Sequence, residues 1–323
     1  MPEYAVGLDL GGTNLKAGLV HREDGLVEVA RRPTEADEGP QHVLDQMATA
    51  ASDLIARVSK EEVLGIGVGS PGAINWERTT VSHPPNLPGW DTINLQEALR
   101  ARLGSLDVVV ENDANVAGLG SAHYGAGSAF DSFLMVTLGT GVGGAIIYRN
   151  QIFRGSTGGA GEIGHMTIDY EGPYANSGVG GAIEGYLGQS FLSEHARDRL
   201  VNYPDSVVHE LVDGDLGEVT PRVLSKAAEQ GDEAARTILA WAGHKLGCVL
   251  GAAVNLLDIR TIIVGGGVSA AGDLILEPAR ETLPQYVTPS LRDELTVRRE
   301  KRGNDVGMLG AARLVFEGAD AHV

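Results

Sequence analysis

The chain has 323 residues, with 43 Asp and Glu against 25 Lys and Arg, a formal charge of −18. So acidic a balance excludes a protein made to neutralise a nucleic-acid backbone; the one basic stretch, residues 292–302, is itself interrupted by acids. A single cysteine, Cys248, excludes an internal disulfide and a thiolate metal centre, the longest apolar stretch, residues 240–257, is broken by His244 and Lys245, and no basic-then-apolar leader opens the chain, so no membrane association and a cytoplasmic location are expected.

Residues 4–10 form an apolar run that contains Asp9 and leads into the turn Gly11-Gly12-Thr13; residues 15–20 and 26–30 read as two further strands of a β-meander. Residues 41–58 set Val43, Leu44, Met47, Ala51, Leu54, Ile55 and Val58 near a 3.6-residue period, an amphipathic helix, and residues 63–68 return as a buried strand. After a Pro- and Gly-rich loop at 70–90 come a helix at 95–103, a strand at 108–110 and a helix at 114–124. The order is βββαβαβα, and it then restarts. A strand at 133–138 leads through Gly139-Thr140-Gly141 into a second at 142–148, followed by a loop-rich insertion at 155–188. Helices are expected at 221–229, where Thr220 can cap and Pro221 can open the first turn, and across 232–257. In the longer one Gly243, Gly247 and Gly251 recur every fourth position, so another element can approach its backbone. A strand at 261–264 ends in Gly265-Gly266-Gly267, and a helix at 306–316 closes the chain. A length beyond the ~250–300 residues at which single cores stop growing, with this repeat, implies two α/β domains, 1–122 and 123–305, the closing helix (to about 318) packing back on the first.

Glycine, at 45 residues, is about twice its usual share of ~7%, and it falls in short clusters after apolar runs, as turns and not as linkers. Glycine turns between strands expose backbone N–H groups at close range. Two of them at equivalent places, Gly11-Gly12-Thr13 and residues 139–144, form a phosphate cradle if they converge on one ligand; otherwise they are tight hairpin turns. Gly265-Gly266-Gly267 lies too late in the chain, and lacks a following strand with a terminal acid, to be a dinucleotide fingerprint. Lysine is scarce: Lys16, Lys60, Lys226, Lys245 and Lys301 are all there are. An acidic, lysine-poor surface suits a halophilic host, since concentrated salt screens its self-repulsion; a codon bias toward Arg and Ala is the alternative.

Five motifs in order resemble those of the ROK sugar kinases (repressors, open reading frames, kinases). They are Asp9-Leu10-Gly11-Gly12-Thr13 with Lys16; Pro85-Asn86-Leu87 with Trp90; Glu111-Asn112-Asp113-Ala114-Asn115; Leu138-Gly139-Thr140-Gly141-Val142-Gly143-Gly144; and Gly161-Glu162-Ile163-Gly164-His165. The resemblance covers nearly the whole chain. It implies an actin-like ATPase fold of two ribonuclease-H-like halves around a central cleft, and the phosphorylation of a hexose at its 6-hydroxyl by ATP. Glucose is the first candidate; fructose, mannose and N-acyl-aminohexoses are the alternatives, beside a non-catalytic sugar-sensing regulator. A repressor of the family needs a helix-turn-helix before the first glycine turn, and only ten residues precede Gly11.

Phosphoryl transfer needs an anchored triphosphate with Mg²⁺, a positioned hydroxyl and a base. Asp113, following a strand and opening a helix, is the expected base, although an Asp at a helix start can also be its cap; Asn112 can cap instead. Asp9 beside the first turn is expected to hold Mg²⁺, directly or through water. Gly11, Gly12, Thr13, Gly139, Thr140, Gly141 and Gly143 are expected to cradle phosphates, with Lys16 either neutralising phosphate or solvated, and Gly265, Gly266 and Gly267 to flank adenosine. The resemblance puts Asn86, Asn112, Asp113, Glu162, His165 and Glu184 on sugar hydroxyls, while Trp90 packs under the sugar loop. Partners are then hexose and ATP, with a homodimer or homotetramer expected. The chain departs from the family at the zinc loop: Ala175, Ser177 and Ala182 stand where three cysteine ligands would join His165, so no zinc is expected and the loop at 170–183 must be ordered otherwise, by burying Tyr170, Tyr174 or Ile183.

Overall fold

The computed structural model describes residues 2–320. The chain divides into two compact units: residues to Asp131 with Ala145–Gly161 and those from Asn304 onward, and Ser132–Gly144 with Glu162–Gly303. The first unit runs past the expected boundary at 122 because the 3₁₀ turn Ala126–Ala129 is tied to the preceding helix, Gly127 N donating to Ser121 Oγ at 3.0 Å.

In the first unit β1 (Tyr4–Leu10) sets Val6, Leu8 and Leu10 on one face and Ala5 and Gly7 on the other. Next come β2 (Asn14–His21), β3 (Gly25–Pro33), α1 (Pro40–Ile55), β4 (Val63–Ser70), the short strands β5 (Ala73–Ile74), β6 (Thr80–Ser82) and β7 (Thr92–Asn94), then α2 (Leu95–Leu103), β8 (Asp107–Asn112) and α3 (Asp113–Tyr124). The sheet order is β3-β2-β1-β4-β8, antiparallel through β3-β2-β1 and parallel through β1-β4-β8. Val43, Leu44, Met47 and Leu54 of α1, with Leu95 and Leu99 of α2, bury one face of it. The loop expected at 70–90 holds strands of two and three residues, too short for a period to register, which form their own sheet β5-β6-β7. Trp90 packs in this core at 4% exposure.

The second sheet begins with β9 (Phe133–Leu138), β10 (Val142–Tyr148) and β11 (Gln151–Ile152). The chain continues through α4 (Glu184–Leu187), α5 (Gln189–Leu200), α6 (Val207–Leu211), α7 (Pro221–Glu229), α8 (Glu233–Leu257), β12 (Thr261–Gly265), α9 (Asp273–Thr282) and β13 (Thr296–Arg299), and ends in α10 (Val306–Asp320). The strand order is β11-β10-β9-β12-β13, with β12 parallel to both neighbours. Each sheet thus runs third, second, first, fourth, fifth along its own half, which is the repeat seen in the sequence. Among the described residues α8 is the one helix long and apolar enough to cross a membrane, but it packs as a core helix. Gly243 lies on the Ile275 carbonyl, Gly247 is 2.7 Å from that of Ala279, and Gly251 is 2.5 Å from Tyr286, measured from where a β-carbon would stand. α9 turns Ile275, Leu276, Ala279 and Thr282 inward at helical spacing, but Pro278 interrupts the pattern in the sequence, and β13, reading Thr-Val-Arg-Arg, is too short and too charged to show one.

The closing helix α10 covers the other face of the first sheet. A β-carbon on Gly7 or Gly67 would strike the carbonyls of Met308 and Ala311, and one on Gly310 would strike that of Val116 in α3. Backbone meets backbone at each crossing. Gly310→Ala should therefore lower the melting temperature and the urea midpoint: the gain of ~1 kcal/mol in helix propensity is outweighed by an overpacking cost of about 1–3 kcal/mol or more. Gly318→Ala, in the same helix but with nothing within 4 Å, should be neutral to stabilising.

Candidate active site

The C-terminal ends of β1, β4 and β8 lie side by side, Asp9 against Gly69 and Gly69 against Glu111, with Ser70 against Asn112. Open α/β sheets collect their ligand-binding side chains along this edge. Asp9 accepts from Lys16 Nζ at 2.7 Å, the two side chains 17% and 20% exposed, and its carboxylate also faces Gly307 in the first turn of α10. A lysine and a helix N-terminus both favour negative charge there. The turn at Gly11 is tied back by a residue that the sequence does not flag: buried Thr34 donates its hydroxyl to Gly11 O at 2.6 Å and its amide to Thr13 O at 2.9 Å. The Gly11 amide closes the turn on Asn14 O at 3.0 Å. Asn86, left-handed at φ 62°, packs against Gly12, where a β-carbon would come within 2.8 Å of it.

Asn112 is the cap of α3. Its Oδ1 accepts from Ala114 N at 2.9 Å and Asn115 N at 3.2 Å, so Asp113 enters the first helical turn as the residue after the cap, its Oδ1 2.9 Å from Ala114 N. Behind them Glu111 is fully buried. Its Oε2 meets Arg78 Nε at 2.9 Å and Arg154 Nε at 2.8 Å, and its Oε1 accepts from Asn112 N at 2.9 Å and Asn115 Nδ2 at 3.1 Å. Nothing in the spacing of Arg78 and Arg154 marks them as its partners.

In the second unit Gly139, Thr140, Gly141 and Gly143 follow β9. Gln189 N donates to the carbonyls of Gly139 and Thr140, and Gly266, at φ 86°, lies on the Leu138 carbonyl, so Gly265, Gly266 and Gly267 adjoin this turn. Glu184 opens α4 with Oε2 accepting from Val142 N at 3.1 Å, which engages one of its oxygens with the second glycine turn. Beneath α4, His195 stacks on Tyr186 at 5.6 Å and lies 3.1 Å from Gly185 O; burial pushes its imidazole below the ordinary value.

His165 Nδ1 is 3.1 Å from Ser177 Oγ, and its Nε2 is 3.7 Å from Glu162 Oε2. The loop does not bury its tyrosines: Tyr170 and Tyr174 are 88% and 72% exposed, while Ile183, at 0%, goes inward with Ala175 and Ala182. Backbone bonds set the loop instead. Ala175 N to Val179 O, Gly181 N to Pro173 O and Ile168 N to Gly181 O join bridges Tyr174↔Gly180 and Thr167↔Ala182, so the backbone of Tyr174 is paired while its ring stays exposed. Ala175, Ser177 and Ala182 offer no thiolate to an ion beside His165, so these side chains do not suit zinc.

The fold and these elements define a two-domain α/β protein of the actin-like ATPase type. The ROK family model matches residues 5–317, and the chain belongs to that family. It is 32% identical to a glucokinase of Thermotoga maritima and 35% identical to one of Streptomyces coelicolor, in each case across 97% of both chains. A crystal structure of a ROK family glucokinase from Streptomyces griseus, in complex with glucose and AMPPNP, superposes with a TM-score of 0.87 at 32% identity, covering 98% of this chain and 100% of that one. Purified protein should carry well under one zinc per chain by elemental analysis; one equivalent, lost together with activity, would identify ligands elsewhere.

Proposed function

We propose that this protein is a glucokinase that transfers the γ-phosphate of ATP to the 6-hydroxyl of glucose. The observation that carries this reading is the likeness over whole chains to glucokinases, one of them bound to glucose and AMPPNP. Asn86 and Asn112 hold sugar hydroxyls, with Glu162, His165 and Glu184 as further hydroxyl partners. Asp113 accepts the proton as the 6-oxygen attacks phosphorus; with Asn112 as the cap of α3, Asp113 stands in the first helical turn directly after the residue that holds the sugar. The turns at Gly11, Gly12 and Thr13 and at Gly139, Thr140, Gly141 and Gly143 hold phosphate oxygens, the amides of Gly11 and Gly139 closing the turns on Asn14 O and Gly141 O and the others facing the ligand, with Lys16 adding charge, while Gly265, Gly266 and Gly267 border the adenosine. Asp9 suits Mg²⁺: Lys16 occupies one of its oxygens at 2.7 Å, a carboxylate has further lone pairs, and Mg²⁺ needs only one or two carboxylates beside phosphates and water. When bound, that ion neutralises charge building on the phosphates.

We further infer a cytoplasmic homodimer or homotetramer that does not bind nucleic acid and comes from a halophilic host. Raising KCl from dilute buffer toward molar concentration should then raise the melting temperature, since screening relieves the repulsion of −18 charges; a flat or falling curve would favour codon bias. Asp113→Asn keeps the shape but removes the base, so kcat in a coupled ADP-release assay should fall roughly 10²-fold or more with glucose binding only modestly weakened. Retention of more than about a tenth of wild-type turnover would exclude Asp113 as the base.

A further inference from the structure

Four nitrogens stand on the two oxygens of Glu111, a residue with no solvent exposure: those of Arg78 Nε, Arg154 Nε, the Asn112 amide and the Asn115 side chain. Arg154 is itself only 8% exposed, and its remaining nitrogens are also engaged, Nη1 donating to Trp76 O at 2.7 Å and Nη2 to Asn75 O at 2.9 Å. The guanidinium also covers the Trp76 ring, 5.0 Å from its centroid. One side chain thus holds the hairpin that carries Asn75 and Trp76 by directed hydrogen bonds, and pairs by charge with the buried carboxylate, toward which its Nε makes no aligned hydrogen bond; Glu111 in turn holds the amide of the residue that caps α3. Arg78 closes the same hairpin from the other side, its carbonyl accepting from Val110 N at 2.8 Å.

Stability alone does not call for such an arrangement. Well-packed apolar side chains of the same volume generally stabilise a fold as well as a buried ion pair does, because the desolvation cost offsets the attraction. A planar fork whose donors point in fixed directions adds orientation. The group being oriented is the β8-to-α3 junction, where Asn112 and Asp113 sit.

We propose that Arg154 is a positioning residue for phosphoryl transfer: through Glu111 it sets the β8-to-α3 junction so that Asn112 meets the sugar and Asp113 meets the attacking hydroxyl. It touches neither substrate. The proposal rests on the reading of Asp113 as base, and the experiment separates the two. Arg154→Lys keeps the charge but cannot hold Glu111 and two carbonyls at once, and the double variant R154M/E111L removes both buried charges together, so a variant that folds is available even if the single one does not. Each is compared with wild type and Asp113→Asn for melting temperature, kcat, and KM for glucose and for ATP.

Displacing a reacting group by about 1 Å can cost ~10²-fold, so folded Arg154 variants should lose about 10-fold or more in kcat. KM for glucose should rise several-fold, with KM for ATP within about 2-fold of wild type, a split that general loosening of the fold would not produce. A folded variant with kcat within about 2-fold of wild type, or one whose two KM values rise together, overturns the positioning role while an inactive Asp113→Asn leaves the base reading intact. An active Asp113→Asn overturns both.

Discussion

The approach of α10 to β1, β4 and α3 at backbone distance is the constraint on which the first unit depends. Gly7, Gly67 and Gly310 each lack the β-carbon that would hold the helix off a neighbouring carbonyl. A helix seated this deeply brings Gly307, in its first turn, against the carboxylate of Asp9. Chain from the far end of the sequence thereby completes the electrostatic setting of a residue in its first strand. Part of the glycine excess therefore serves packing distance and not turns.

The two halves use a common device at equivalent places. After the first strand of each sheet comes a glycine turn whose carbonyls are engaged from outside, by Thr34 in one case and by Gln189 in the other. Each turn also closes on itself through its first glycine amide, Gly11 N on Asn14 O and Gly139 N on Gly141 O. The outside donors come from different elements, β3's exit in the first half and the start of α5 in the second, so the sequence repeat does not extend to them.

Much of this fold and of the candidate site is legible in the amino-acid sequence. The β-meanders, the repeat and the five motifs rest on short-range pattern: apolar runs of strand length, glycines directly after them, and acids or amides at helix starts. The alternatives of Asn112 and Asp113 as cap are both visible there, and the hydrogen bonds from Ala114 and Asn115 decide between them. What stays hidden depends on distance in the chain. Arg78 and Arg154 reach Glu111 across 33 and 43 positions, and Thr34 reaches Gly11 across 23, separations at which no periodicity carries information. The strands β5 to β7 are hidden for a different reason, their length. Tyr170 and Tyr174 mislead because aromatic side chains in a loop suggest burial, whereas the loop's own backbone pairing supplies its order.

The loop at 170–183 is set by its glycines. Gly178 and Gly181 stand at φ 80° and 63°, a region closed to most side chains, and a β-carbon on Gly181 would strike the Asp169 carbonyl. Its path is thus written into local backbone geometry. Where a bound ion shapes such a segment, folding waits on the capture of metal, and the apo chain is an obligatory intermediate. Here the left-handed glycines and the loop's own backbone bonds carry that path, so the loop's shape is sensitive to any side chain placed at Gly181.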